Sequence, residues 1–128
     1  MSAATPYEAL GGATGLRALV DTFYDQMDGD PAYAALRRVH RAELADARDK
    51  LTMFLSGWLG GPNLYIERHG HPRLRARHLP FAIGITERDQ WLACMAAALT
   101  ACGVAEPLRS KLLGAFGQTA DFMRNQAG

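Results

Sequence analysis

The chain has 128 residues, with 14 Lys+Arg against 13 Asp+Glu, and a net charge of +1. That length fits one domain over residues 1–128, able to bury roughly two-thirds of its unfolded surface without disulfides. Balanced charge argues against a dedicated nucleic-acid binder, and 48% apolar with 21% charged residues excludes a disordered tail.

The predicted elements are all helical. Thr5-Pro6-Tyr7-Glu8 reads as a cap, a first-turn proline and a capping-box acid, opening a short helix that stops at Gly11-Gly12. Thr14 is expected to cap the next helix, with Leu16, Leu19, Val20, Phe23, Tyr24 and Met27 on one face up to Gly29. Asp30-Pro31 starts a short turn or helix. Leu44, Ala47, Leu51, Phe54, Leu55 and Trp58 recur at helical spacing from Glu43 to Leu59, and Gly60-Gly61-Pro62 ends that run. Thr86, with Asp89 three residues on, is expected to cap a helix that reaches Gly103. Glu106-Pro107 opens a last amphipathic helix through Leu108, Leu112, Leu113, Phe116, Ala120 and Met123. No stretch reads as a strand, so the expected class is all-α.

Cys94 and Cys102 would lie about 12 Å apart along one helix, too far for a disulfide. A reduced, cytoplasmic chain is expected. Met1 to Pro6 lacks the basic start and apolar run of a signal peptide. The most apolar stretch, Trp91 to Ala105, is shorter than the roughly 20 residues of a membrane span.

One region departs from a plain bundle. Between Gly57 and Gly84 the chain carries Gly60, Gly61, Gly70, Pro62, Pro72 and Pro80, and with them His69, His71 and His78. Long irregular connections in compact domains tend to be functional, so this one points to a site. Phosphate-loop, dinucleotide, nucleophile-elbow and H-E-x-x-H motifs are missing. His69 and His71 could hold a metal, but spacing completes no tetrahedral set around them. Arg68, Arg73, Arg75 and Arg77 form a basic run that suits a solvated face, nucleic acid or a small anionic ligand. His78, Tyr24 and Trp91 in one apolar pocket would suit a flat cofactor bound through a metal. Each also reads as an ordinary structural residue.

Phe23-Tyr24, Met53-Phe54-Leu55, Gly60-Gly61-Pro62, the run from Gly70-His71-Pro72 through Leu74 and His78 to Pro80-Phe81, and Glu87-Arg88-Asp89-x-Trp91-Leu92 together resemble the group II truncated haemoglobins. The likeness spans Tyr7 to Met123, and Gly70 to Phe81 is its most specific part. It implies a truncated globin fold, two helices over two, around haem b. His78 matches the proximal histidine of a five-coordinate iron. Tyr24 and Trp91 match distal donors to a diatomic ligand. Ala47 falls where many globins carry a distal histidine or glutamine, so a gate there is small and nonpolar. Leu51 and Phe54 would line the distal side and Phe81 the proximal side. His40 matches a corner position touching the haem; it adds a third distal polar group or lies exposed. Lys50, Tyr65, His71, Arg75 and Arg77 are candidates for the propionate rim.

The resemblance implies binding of O2, with CO and NO as other ligands. Roles range from oxygen transport or scavenging to NO dioxygenase or peroxidase-like chemistry that needs a separate reductase. A monomer or homodimer with no nucleic-acid or membrane partner is expected. The alternative is a haem-free helical signalling or interaction module.

Overall fold

The computed structural model of the chain describes residues 5–71, 73 and 83–125. The described elements are α1 (Pro6–Ala9), α2 (Gly12–Gly29), a 3-10 turn (Pro31–Tyr33), α3 (Ala34–Arg38), α4 (Ala45–Trp58), α5 (Leu64–His69), α6 (Ile85–Ala101) and α7 (Leu108–Phe122). No strand occurs among the described residues. The α2–α4 pair lies against the α6–α7 pair, with α2 crossing α6. This is the two-over-two helical arrangement.

Local chemistry explains most boundaries. The Thr5 hydroxyl accepts from the Glu8 N–H at 3.1 Å, and Pro6 occupies the first helical position, as their spacing predicts. Helix α2 starts earlier than Thr14 suggests. Gly11 and Gly12 take φ of 100° and 67°, a left-handed reversal open to glycine, so the helix begins at Gly12 with Thr14 already inside its first turn. Asp30 caps the 3-10 turn, its Oδ1 accepting from the Ala32 N–H at 2.9 Å.

Two further expectations need correction. Thr86 does not cap α6; Gly84 does, and its N–H donates to Glu87 Oε1 at 2.7 Å. Asn125 fixes that start point. Its amide oxygen accepts from the Ile83 N–H at 3.0 Å, and its own N–H donates to the Ile83 carbonyl at 2.9 Å. The connection after Gly60-Gly61-Pro62 is also less irregular than its composition suggests, because Leu64–His69 form α5. Tyr65 is buried on that helix against the Phe54 ring, so packing supplies order that local sequence does not.

The core joins Leu16, Leu19, Val20 and Phe23 of α2 to Leu55 and Leu59 near the end of α4. Cys94, Met95, Ala98 and Leu99 of α6 and Leu112 and Phe116 of α7 complete it. No described helix is long and apolar enough to cross a membrane.

Two glycines on helices should respond oppositely to alanine. A Cβ at Gly15 would sit 1.8 Å from the Leu10 carbonyl oxygen, so the backbone must move, and overpacking costs about 1–3 kcal/mol. A Cβ at Gly114 meets nothing within 4 Å, and alanine outranks glycine in a helix by about 0.8–1.0 kcal/mol. Urea unfolding midpoints should fall for Gly15→Ala and rise for Gly114→Ala.

Candidate functional site: an apolar cavity with two facing donors

A cavity of about 240 Å³ lies between the helix pairs. Tyr24 of α2 and Leu36, Val39 and His40 around the end of α3 form one side. Leu51, Phe54, Leu55 and Trp58 of α4 form the second. Ile83, Glu87, Arg88 and Trp91 at the start of α6 form the third. Phe116, Thr119, Ala120 and Met123 close the fourth.

Aromatic packing places the donors. Phe23 is fully buried and meets the Trp91 ring at 5.2 Å, which holds α2 on α6. The next residue, Tyr24, is turned toward the cavity and meets the Phe23 ring edge-on at 5.0 Å. Trp91 also packs on Phe116 at 5.3 Å, and Phe116 stacks on Trp58 at 5.0 Å. Tyr24 is only 5% exposed, and burial pushes its hydroxyl well above the ordinary phenol range, against an opposing pull from Arg48.

The polar groups of the cavity divide into committed and uncommitted ones. Glu87 caps Gly84, and Arg88 pairs with Asp121 at 2.6 Å and Asp89 at 3.0 Å. The His40 Nδ1 lies 2.9 Å from the Leu36 carbonyl, which can only accept, so Nδ1 carries the proton. That bond turns the His40 ring toward the cavity, 5.8 Å from Tyr24 and edge-on to it. Among the described residues, neither the Tyr24 hydroxyl nor the Trp91 indole N–H has a hydrogen-bond partner. Two donors without a partner among the described residues therefore border a largely apolar space.

The structure brings together Tyr24, His40, Leu51, Phe54 and Trp91 of the sequence-predicted set. It places others away from the cavity lining. Ala47 packs half-buried against the core. Lys50 is exposed and pairs with Asp46 at 3.1 Å. Tyr65 is buried with its ring 4.9 Å from that of His69. His71 is exposed, its Nδ1 accepting from the Arg73 N–H at 3.1 Å. Arg75, Arg77, His78 and Phe81 lie outside the described residues. Sequence reasoning passed over Trp58, Phe116, Thr119, Ala120 and Met123 as cavity residues. Their signal was helical spacing, three and four apart on α4 and α7, which core packing produces equally well.

Behind the cavity, the Cys94 thiol donates to the Phe23 carbonyl at 3.2 Å. Burial, helped by Asp30, pushes this thiol up to about 12.

Fold and cavity together define a two-over-two helical protein that encloses a ligand-sized apolar space. The sequence profile of the bacterial-like globins matches residues 5–125. The group 2 truncated haemoglobin YjbI of Bacillus subtilis is 44% identical over 121 residues, covering 94% of this chain and 89% of that protein. The cold-adapted truncated haemoglobin of the Antarctic bacterium Pseudoalteromonas haloplanktis TAC125 superposes with a TM-score of 0.92 at 46% identity, covering 96% and 99% of the two chains. The truncated oxygen-avid haemoglobin of Bacillus subtilis gives a TM-score of 0.87 at 43% identity, covering 95% and 100%. The chain belongs to the bacterial-like globin family, as one of its group II truncated haemoglobins.

Haem b is its cofactor and haem-based oxygen binding its general activity, which sets aside the haem-free module. The described cavity fits such a group. Its walls are mostly aliphatic and aromatic, its ionisable Glu87 and Arg88 are already engaged, and its Tyr24 and Trp91 donors have no hydrogen-bond partner among the described residues.

The two thiols should differ sharply toward alkylating reagents. Cys102 is exposed, whereas Cys94 is buried and held protonated. At pH 8 a maleimide should modify one thiol per native chain and two after denaturation. Mass spectrometry of the labelled peptides should place the native adduct on Cys102.

Proposed function

We propose that this chain is a single truncated globin domain that binds O2 reversibly, with CO and NO as further diatomic ligands. His78 is the only protein ligand of a five-coordinate iron in this reading. The observation that carries it is the pair of donors, the buried Tyr24 and the half-buried Trp91, which face one apolar cavity and have no hydrogen-bond partner among the described residues. The oxygen-avid relative from Bacillus subtilis supports O2 as the principal ligand.

When bound, haem supplies a ferrous iron that takes a diatomic gas and shifts negative charge onto it. Tyr24 and Trp91 donate hydrogen bonds toward that charge. Their donors are preorganised by packing on Phe23 and Phe116, so little reorganisation opposes the interaction. The His40 ring, held by the Leu36 carbonyl and edge-on to Tyr24, limits where the Tyr24 ring can swing. In this reading Leu51 and Phe54 line the distal wall, Ala47 leaves a small nonpolar gate, and Phe81 is assigned to the proximal side. Lys50, Tyr65, His71, Arg75 and Arg77 serve the anionic rim as alternatives; for Lys50 that requires release from Asp46.

Several tasks suit such a site, from oxygen scavenging or transport to NO dioxygenation and peroxidase-like chemistry. Catalytic turnover in the last two requires electrons, and the chain has no flavin or nicotinamide motif, so a separate reductase is the partner this reading needs. A cytoplasmic monomer or homodimer completes the proposal.

His78→Ala should lose tight haem binding, and free imidazole should partly restore it; an unchanged ferrous spectrum would remove His78 from the iron. A hydrogen bond to a charged acceptor contributes about 1.5–3 kcal/mol, and 1.4 kcal/mol is tenfold. Trp91→Phe should therefore speed O2 dissociation roughly 10- to 100-fold, with far less effect on CO, which carries less negative charge. Tyr24→Phe should act in the same direction, and the double variant should be non-additive because both donors address one ligand. Stopped-flow dissociation of both gases checks this. Equal acceleration for O2 and CO would mean that Trp91 only fills space.

A further inference from the structure

Arg48 on α4 faces Tyr24 with a charge that the proposed chemistry leaves unused. Its guanidinium carbon lies 5.8 Å from the centre of the Tyr24 ring, over the ring. That is within the roughly 6 Å reach of a cation–π interaction. Two carboxylates of α2 fix the guanidinium in place. Nη1 donates to Asp21 Oδ1 at 3.1 Å and to the Asp21 carbonyl at 3.3 Å, and Nη2 donates to Asp25 Oδ1 at 2.7 Å. Asp21 is held in turn by Arg17 at 3.2 Å.

An ion-paired arginine could simply fasten α2 to α4, but its surroundings give it a second effect. The Arg48 side chain is 21% exposed, whereas Asp21 and Asp25 are 40% and 70% exposed. Water therefore screens the carboxylates more than the guanidinium they hold. The phenol ring it faces is nearly fully buried, where a neighbouring charge is felt most strongly. A cation over a phenol ring draws π density toward itself and away from the hydroxyl oxygen. The O–H becomes a stronger donor. The pull of Arg48 on the Tyr24 hydroxyl opposes the upward effect of burial, in the direction this account requires.

We infer that Arg48 is a positioning residue for the distal pocket: clamped by Asp21 and Asp25, it orients the Tyr24 ring and strengthens the phenol as a donor toward the bound gas. This inference rests on the reading of Tyr24 as a distal donor.

The test uses the haem-loaded protein in a Tyr24 and a Tyr24→Phe background. Arg48→Met keeps the length of the side chain and removes its charge. Cation–π contacts support a change of about two- to fivefold, so O2 dissociation should quicken by that factor in the Tyr24 background and not in Tyr24→Phe. Arg48→Lys, which keeps a cation, should change it less than twofold. Two spectroscopic signals report Tyr24 and the pocket field directly. In the CO-bound protein the infrared CO stretch and the Tyr24 Cζ carbon resonance should both move in Arg48→Met and return toward their original positions in Arg48→Lys. Thermal unfolding of each variant separates loss of the α2–α4 fastening from loss of the field. Arg48→Met with a lowered melting temperature but unchanged O2 dissociation and CO stretch would reduce Arg48 to a fastener. An equal effect in both backgrounds would also overturn the inference, because the residue would then act without Tyr24. If Tyr24→Phe alone leaves O2 dissociation unchanged, the distal-donor reading fails first, and this inference with it.

Discussion

The crossing of α2 over α6, held by Phe23, is the constraint on which the rest of this molecule depends. Phe23 is fully buried, its ring lies on Trp91, and its carbonyl accepts the Cys94 thiol hydrogen. Full burial of a side chain this size contributes about 1.5–3 kcal/mol, and the contacts fix the rotation of α2 about its own axis. Successive helix residues are turned by about 100°, so anchoring Phe23 leaves Tyr24 no choice but the neighbouring face. That face is the cavity. A cavity-facing side chain is thus aimed by the hydrophobic residue beside it, and the same contact sets the ring of Trp91 opposite.

The cavity is made selective by which polar groups are already satisfied. Glu87 and Arg88 belong to it by position but are bound to Gly84 and to Asp89 and Asp121. His40 is oriented by the Leu36 carbonyl. An unengaged charge here would carry a heavy desolvation penalty and draw water inward. Neutral donors on aromatic rings avoid that cost while leaving hydrogens available, which suits a gas that gains negative charge only once bound.

Much of this was legible in the amino-acid sequence, because helical spacing and turn chemistry are local signals. The apolar face of α2 from Leu16 to Met27 and the Thr5 cap stand as their spacing predicts. Misplaced boundaries came where a distant residue overrides the local one. Asn125 pins Ile83 and so starts α6 at Gly84 rather than at Thr86. Burial of Tyr65 accompanies α5 in a stretch whose glycines and prolines suggest an irregular path. At the site, Tyr24 and Trp91 were found through motif resemblance, whereas Trp58 and Phe116 looked like any core aromatic. The direction of the His40 ring depends on one bond between its Nδ1 and a backbone carbonyl, and no residue pattern encodes a tautomer. Arg48 was invisible for the same reason: the role inferred for it depends on which ring it faces.

The paired hydrogen bonds between Asn125 and Ile83 have a topological consequence. They close the stretch from Ile83 through α6 and α7 into a ring, joined at its neck by two bonds rather than by the peptide backbone. Trp91, Phe116 and Met123 all sit on this ring, so two of the four sides of the cavity belong to one closed circuit. A disturbance at Met123 can therefore reach Trp91 by two routes, along the helices or across the neck. Loss of the Asn125 side chain would leave one bond at the neck, and loss of both bonds would turn the circuit into an open strip.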